Sequence, residues 1–139
     1  MYKPKTYRAK TVLKMQSEES LQKSICDYLK IQYPKIIFNS DMSGIKLTKG
    51  QAIKASKLRS NKGFPDIVIY EPRGEYHGLF IELKKEGEVL YKRNGEAVTE
   101  HVQEQINCIN LLRAKGYCAG FAIGFNEAKT VIDSYFILE

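Results

Sequence analysis

Apolar positions first become regular after residue 17. Leu21, Ile25, Tyr28 and Leu29 fall on one helical face, Ser17 is placed to cap it, and Pro34 bounds it. Residues 35–38 are short and β-branched and run into Asn39-Ser40-Asp41, which predicts a strand followed by a loop. Residues 41–63 are polar, basic and weakly periodic. They read mostly as a mobile loop in which 49–58 could form a short helix. The run at 66–70 is a strong strand signal, 71–74 a turn, and 79–83 a second strand, so the two strands are expected to form an antiparallel hairpin. Residues 85–98 are charged and carry Gly87 and Gly95, which predicts a second mobile loop. An amphipathic helix follows from Thr99, with Val102, Ile106, Ile109 and Leu112 on its apolar face and Lys115-Gly116 at its end. Residues 117–123 read as a strand, and Asn126 is expected to cap a last helix through Val131, Ile132 and Tyr135. The order α-β-β-β-α-β-α predicts an α/β domain whose mixed sheet is flanked by helices.

Composition narrows the class. A chain of 139 residues is one ordinary domain, here 17–139, preceded by a basic flexible arm at 1–16. No stretch approaches the roughly 20 apolar residues of a membrane helix. The basic N-terminus lacks the apolar run of a secretory signal, so an intracellular, cytoplasmic protein is the expectation. Cys26, Cys108 and Cys118 are odd in number, lack CxxC spacing and lie in apolar stretches. Small buried hydrophobes are expected, not a zinc site or a disulfide framework.

The net charge of +6 is unevenly placed. Lys3, Lys5, Arg8, Lys10 and Lys14 fall in an N-terminal stretch without an acid. Lys46, Lys49, Lys54, Lys57, Arg59 and Lys62 fall in a second acid-free stretch. Either stretch alone could be a solvated surface. Two of them on a nearly neutral or acidic body suit a polyanionic partner, and nucleic acid before others.

One constellation carries chemistry. Gly63-Phe64-Pro65-Asp66 leads into the first hairpin strand, and Glu82-Leu83-Lys84 lies on the second. Glu82 and Lys84 are two residues apart, so they share a strand face, and a hairpin can bring Asp66 to them. Mg²⁺ is a hard cation that keeps several waters and needs only one or two carboxylates. Asp66 and Glu82 can supply those, and the backbone carbonyl of Leu83 a further oxygen. Lys84 beside the same ion could orient the attacking water or offset charge on the phosphorane. An isolated E-x-K on a half-wet strand would mean little. The preceding Pro-Asp makes it informative.

These residues resemble the PD-(D/E)XK nuclease superfamily and, within it, the VRR-NUC family (virus-type replication-repair nuclease). The resemblance rests on Lys62-Gly63-Phe64-Pro65-Asp66, on Gly78-Leu79-Phe80-Ile81-Glu82-Leu83-Lys84, on Gln105 followed by Leu112 and Gly116-Tyr117, and on Glu18 and Gln22. It covers about residues 18–138. It implies a restriction-endonuclease-like αβββαβ core with Mg²⁺, or Mn²⁺ in its place, at Asp66 and Glu82. It also implies that Glu18 assists through the metal shell as a further metal-site and catalytic residue, that Lys84 takes the catalytic lysine role, and that Gln105 lies near the phosphate or water. Helical phase favours Glu18 over Glu19 as the first-helix acid, because Glu18 projects with Leu21, Ile25 and Leu29. His101, one turn before Gln105, is a lesser candidate for a phosphate contact. Lys46, Lys49, Lys54, Lys57, Arg59, Lys62 and Lys85 are the candidate DNA contacts, of the kind that position a duplex without reading it.

The resemblance further implies a stand-alone endonuclease of phage or bacterial type, acting as a homodimer on branched DNA or Holliday junctions. A nicking or restriction-like enzyme on duplex DNA and a non-catalytic DNA-binding subunit are the alternatives.

Overall fold

The hairpin between residues 67 and 84 organises the chain. In a computed structural model, which describes residues 16–41 and 46–139, Ile67–Ile69 (β2) pairs antiparallel with Leu79–Lys84 (β3), Ile67 standing opposite Ile81. Phe38–Ser40 (β1) adds antiparallel to the other edge of β2, and Cys118–Ile123 (β4) adds parallel to β3. The result is a mixed four-stranded sheet in the order β1-β2-β3-β4. The parallel pair requires a crossover, which Glu100–Ala114 (α3) provides.

Glu18–Gln32 (α1) and Gly124–Ile137 (α4) cover one sheet face. There Leu21, Ile25, Leu29 and Ile132 close over Ile67, Ile69, Leu79, Ile81 and Leu83. On the opposite face α3 places Ile109 against Val68, Phe80 and Ala119, with Phe64 and Tyr117 at the margin. Alternation along β3 therefore sends Ile81 and Leu83 to the larger core and leaves Glu82 and Lys84 on the α3 side. Among the described residues, no helix is long and apolar enough to cross a membrane.

Several expectations are met locally. The Ser17 hydroxyl accepts from the Ser20 N–H, and Thr99 caps α3 through Val102 N–H. Gly116, at φ 90°, ends the α3 turn in a conformation that favours glycine.

Others require correction. The first strand begins at Phe38, three residues later than 35–38 implied, because pairing to β2 starts at Phe38–Ile69. Ile37 before it is exposed, and its carbonyl accepts from Tyr70 N–H. The short helix allowed at 49–58 is present as Lys49–Ser56 (α2), inside a stretch otherwise read as a loop. Thr48 and Gln51 form a reciprocal capping box that the basic composition obscured. Residues 85–98 are a small hairpin, not an open loop: Tyr91 bridges Ala97, Val98 N–H reaches Leu90 O, and the Leu90 side chain is buried. Asn126 does not cap the last helix. The chain enters α4 directly from β4, turning at Gly124 with φ 82° and no side-chain cap. On α3 the buried positions are Val102, Gln105, Cys108 and Ile109, so the inward stripe is rotated away from Ile106 and Leu112. All three cysteines are free, Cys108 fully buried and the others partly so. The N-terminal arm expected at 1–16 lies, apart from Gln16, outside the described residues.

Ile132 is fully buried where α4 meets the sheet. Ile132→Ala is expected to cost about 2–4 kcal/mol, read as a lower urea midpoint at unchanged slope.

Candidate active site

The register of the hairpin determines what meets at its open end. Continuing Ile67–Ile81 by one step sets Asp66 across from Glu82, and cross-strand partners share a face. Both side chains are buried. Asp66 is fixed further: one carboxylate oxygen accepts the Leu83 N–H at 2.8 Å, and its own carbonyl accepts the Asp41 N–H at 2.6 Å. Lys84, two residues beyond Glu82, is buried as deeply, with Nζ 3.9 Å from a Glu88 carboxylate oxygen. From α3, Gln105 donates its Nε2 to Glu82 Oε1 at 2.6 Å. From α1, Glu18 reaches the rim of the same cleft and remains exposed.

These groups line one cleft of about 220 Å³, together with Gln22, Arg59, Gly63, Phe64, Leu83, Glu88 and His101. Of the two first-turn acids, Glu18 is the one that lines it. Gln22 is buried and donates to the Ser40 hydroxyl and the Asp41 carbonyl, tying α1 to the end of β1. Leu83 contributes backbone while its side chain joins the core. Gly63 is obligatory: with φ 72°, its backbone lies on α3 so closely that a Cβ would meet Gln105 N at 2.5 Å.

The expected DNA contacts separate into two groups. Arg59 lines the cleft, held by Asp41 Oδ1 at 2.7 Å from Nη2. Lys46, Lys49, Lys54, Lys57, Lys62 and Lys85 are exposed and line no part of it. Lys62 lies 3.9 Å from Glu104. Glu88 carried no signal in the sequence, because a lone acid in a charged segment has no periodicity or motif to mark it. Only the fold of the 85–98 hairpin brings it over Lys84.

The electrostatics of the pair are strained. Burial drives the Glu82 carboxyl far above the usual carboxylate range, and the charge of Asp66 drives it further, against the opposing pull of Lys84. Glu18 is raised by partial burial and then by Glu88, with Lys84 again opposing. Oε2 of Glu82 and Oε1 of Gln105 are buried without a hydrogen-bond partner. Two facing carboxylates with an unpartnered oxygen fit a hard divalent cation that retains waters. Among the described residues no three His, Cys, Asp or Glu side chains form a metal-holding group. An ion here would have Asp66 and Glu82 as its side-chain ligands, with Glu18 at the rim.

A solved structure described as a VRR_NUC domain protein superposes with a TM-score of 0.62. It is 27% identical and covers 88% of this chain and 89% of that one. The chain resembles the VRR-NUC family in fold as well as in sequence. The mixed four-stranded sheet between helices is consistent with the restriction-endonuclease-like core that the family implies. No protein-family model matches the chain, and no curated protein matches it.

A raised carboxyl pKa in the fold means that folding favours the protonated form. The stabilising contribution of a neutral Glu82 is present below the unfolded value near 4.5 and is lost as pH rises toward the higher folded value. Without divalent metal at pH 7–8, Glu82→Gln is therefore expected to raise Tm by a few degrees, about 1 kcal/mol or more. Added Mg²⁺ should raise the Tm of wild type and leave the variant unchanged.

Proposed function

We propose that the chain is a metal-dependent DNA endonuclease that hydrolyses phosphodiester bonds at the Asp66–Glu82–Lys84 cleft. The observation that carries this reading is the buried carboxylate pair with Lys84 two residues along the same strand face. Such a buried pair of like charges is costly to build. Its chemistry fits the nuclease type to which the family likeness points.

Asp66 and Glu82 are the proposed ligands of Mg²⁺, with Mn²⁺ an effective substitute and the Leu83 carbonyl an additional oxygen. A bound divalent ion polarises a phosphate oxygen and makes water more acidic. The chain's own groups do the rest. Lys84 presents an ammonium at the cleft floor, where it orients the attacking water and offsets negative charge as the phosphorane forms. Glu88 faces that ammonium at 3.9 Å. Gln105 fixes the orientation of the Glu82 carboxylate. Glu18, at the rim, accepts hydrogen bonds from water entering the cleft. Arg59 already lines the cleft, and its planar guanidinium suits a phosphate. The exposed lysines at 46, 49, 54, 57, 62 and 85 give a sequence-independent, salt-sensitive contribution to binding.

The finer proposal is a homodimer that cuts branched DNA or Holliday junctions, with symmetry setting the distance between two clefts. Its support is the family resemblance.

Labelled four-way junction, flap, nicked and linear duplex DNA should be incubated with Mg²⁺, Mn²⁺ or EDTA. Cutting is expected with either metal and none with EDTA, the four-way junction being cut fastest. Lys84→Ala should reduce kcat by at least about 100-fold with DNA affinity largely kept. DNA binding without cutting in any metal would replace this reading with a binding module.

A further inference from the structure

His101 is the one imidazole at the cleft, and the functional reading leaves it without a task. It stands one turn before Gln105 on α3, its side chain mostly exposed. Its Nε2 lies 3.3 Å from Gln105 Nε2, and its Nδ1 faces Glu104 Oε2 at 3.8 Å.

The amide nitrogen of Gln105 carries two hydrogens. One goes to Glu82 Oε1. A nitrogen that donates twice needs a second acceptor, and the atom in place is His101 Nε2. An imidazole nitrogen accepts only when it carries no proton, so the ring proton must sit on Nδ1, the side turned to Glu104. With Gln105 Nε2 donating to Glu82, the contacts are mutually consistent in this arrangement: a proton on His101 Nε2 would set donor against donor.

We infer that His101 is a positioning residue that holds the Gln105 amide by its second hydrogen, as the neutral tautomer protonated at Nδ1. A single hydrogen bond to Glu82 lets the amide pivot about that bond, whereas two define its plane. Gln105 Oε1 is left as a buried acceptor with no protein partner, at the wall of the cleft. There it can receive a hydrogen from a water or from an ionised site's hydration. His101 thus acts through Gln105, not by touching phosphate.

The catalytic consequence rests on the nuclease reading above, whereas the tautomer does not, so two measurements keep the failures apart. The first is long-range ¹H–¹⁵N correlation on the ¹⁵N-labelled full chain, metal-free, at a pH where the ring is neutral. The expected spectrum places the proton on Nδ1, with Nε2 at the shift of an unprotonated nitrogen. A proton on Nε2 overturns the inference whether or not the protein cuts DNA.

The second compares His101→Phe with wild type on junction DNA in Mg²⁺. His101→Phe should lower kcat about 10-fold with the KM for DNA unchanged, and His101→Gln, which restores an acceptor, should recover part of the loss. A rise in KM at constant kcat would make His101 a phosphate contact and overturn the positioning role. Unchanged cleavage would do the same. If wild type itself cuts nothing, the nuclease reading fails, and the tautomer measurement alone decides the contact.

Discussion

The pairing of β2 with β3 is the constraint on which the site depends. It places Asp66 opposite Glu82, buries both, and directs Lys84 to the same side. A slip of one residue would turn the charged positions into the core of α1 and α4 and the apolar ones toward α3. The larger core enforces the register, since Ile67, Ile69, Leu79, Ile81 and Leu83 are all needed beneath α1 and α4. Packing on one face thus sets the geometry of the charges on the other.

The helices complete the site from different directions. α1 brings Glu18 to the rim and, through Gln22, fastens the end of β1. α3 brings Gln105 to Glu82 and accepts the Gly63 backbone so closely that only glycine fits. Asp66 stands between Gly63 and the start of β2, so the α3 contact at Gly63 helps place Asp66 where the chain enters the sheet. The carboxylates are held from three sides while an oxygen of Glu82 is left without a protein partner. That is unfavourable for an empty fold and favourable for one that takes up a cation.

Much of this was legible in the sequence where residues repeat or alternate. The hairpin, α1 with its Ser17 cap, and α3 with its Gly116 terminus follow from periodicity and turn chemistry; Asp66, Glu82 and Lys84 follow from motif and spacing, and Gln105 from the family resemblance. What escaped had no periodic signature. Glu88 reaches Lys84 only through the small hairpin at 85–98. Arg59 differs from its basic neighbours only in being drawn into the cleft by Asp41, a partner 18 positions away. The helix α2 lacks a buried face, so only its capping box marks it. The start of α4 was misplaced because a positive-φ glycine, not an Asn cap, opens it.

The central claim is that the buried pair exists to hold a cation. Crystals grown with Mn²⁺ and measured at the manganese edge test it most directly. The account predicts an anomalous peak at the Asp66 and Glu82 carboxylates in wild type, and none there in Asp66→Asn. A wild-type map with manganese only elsewhere, or none at saturating concentration, would contradict it.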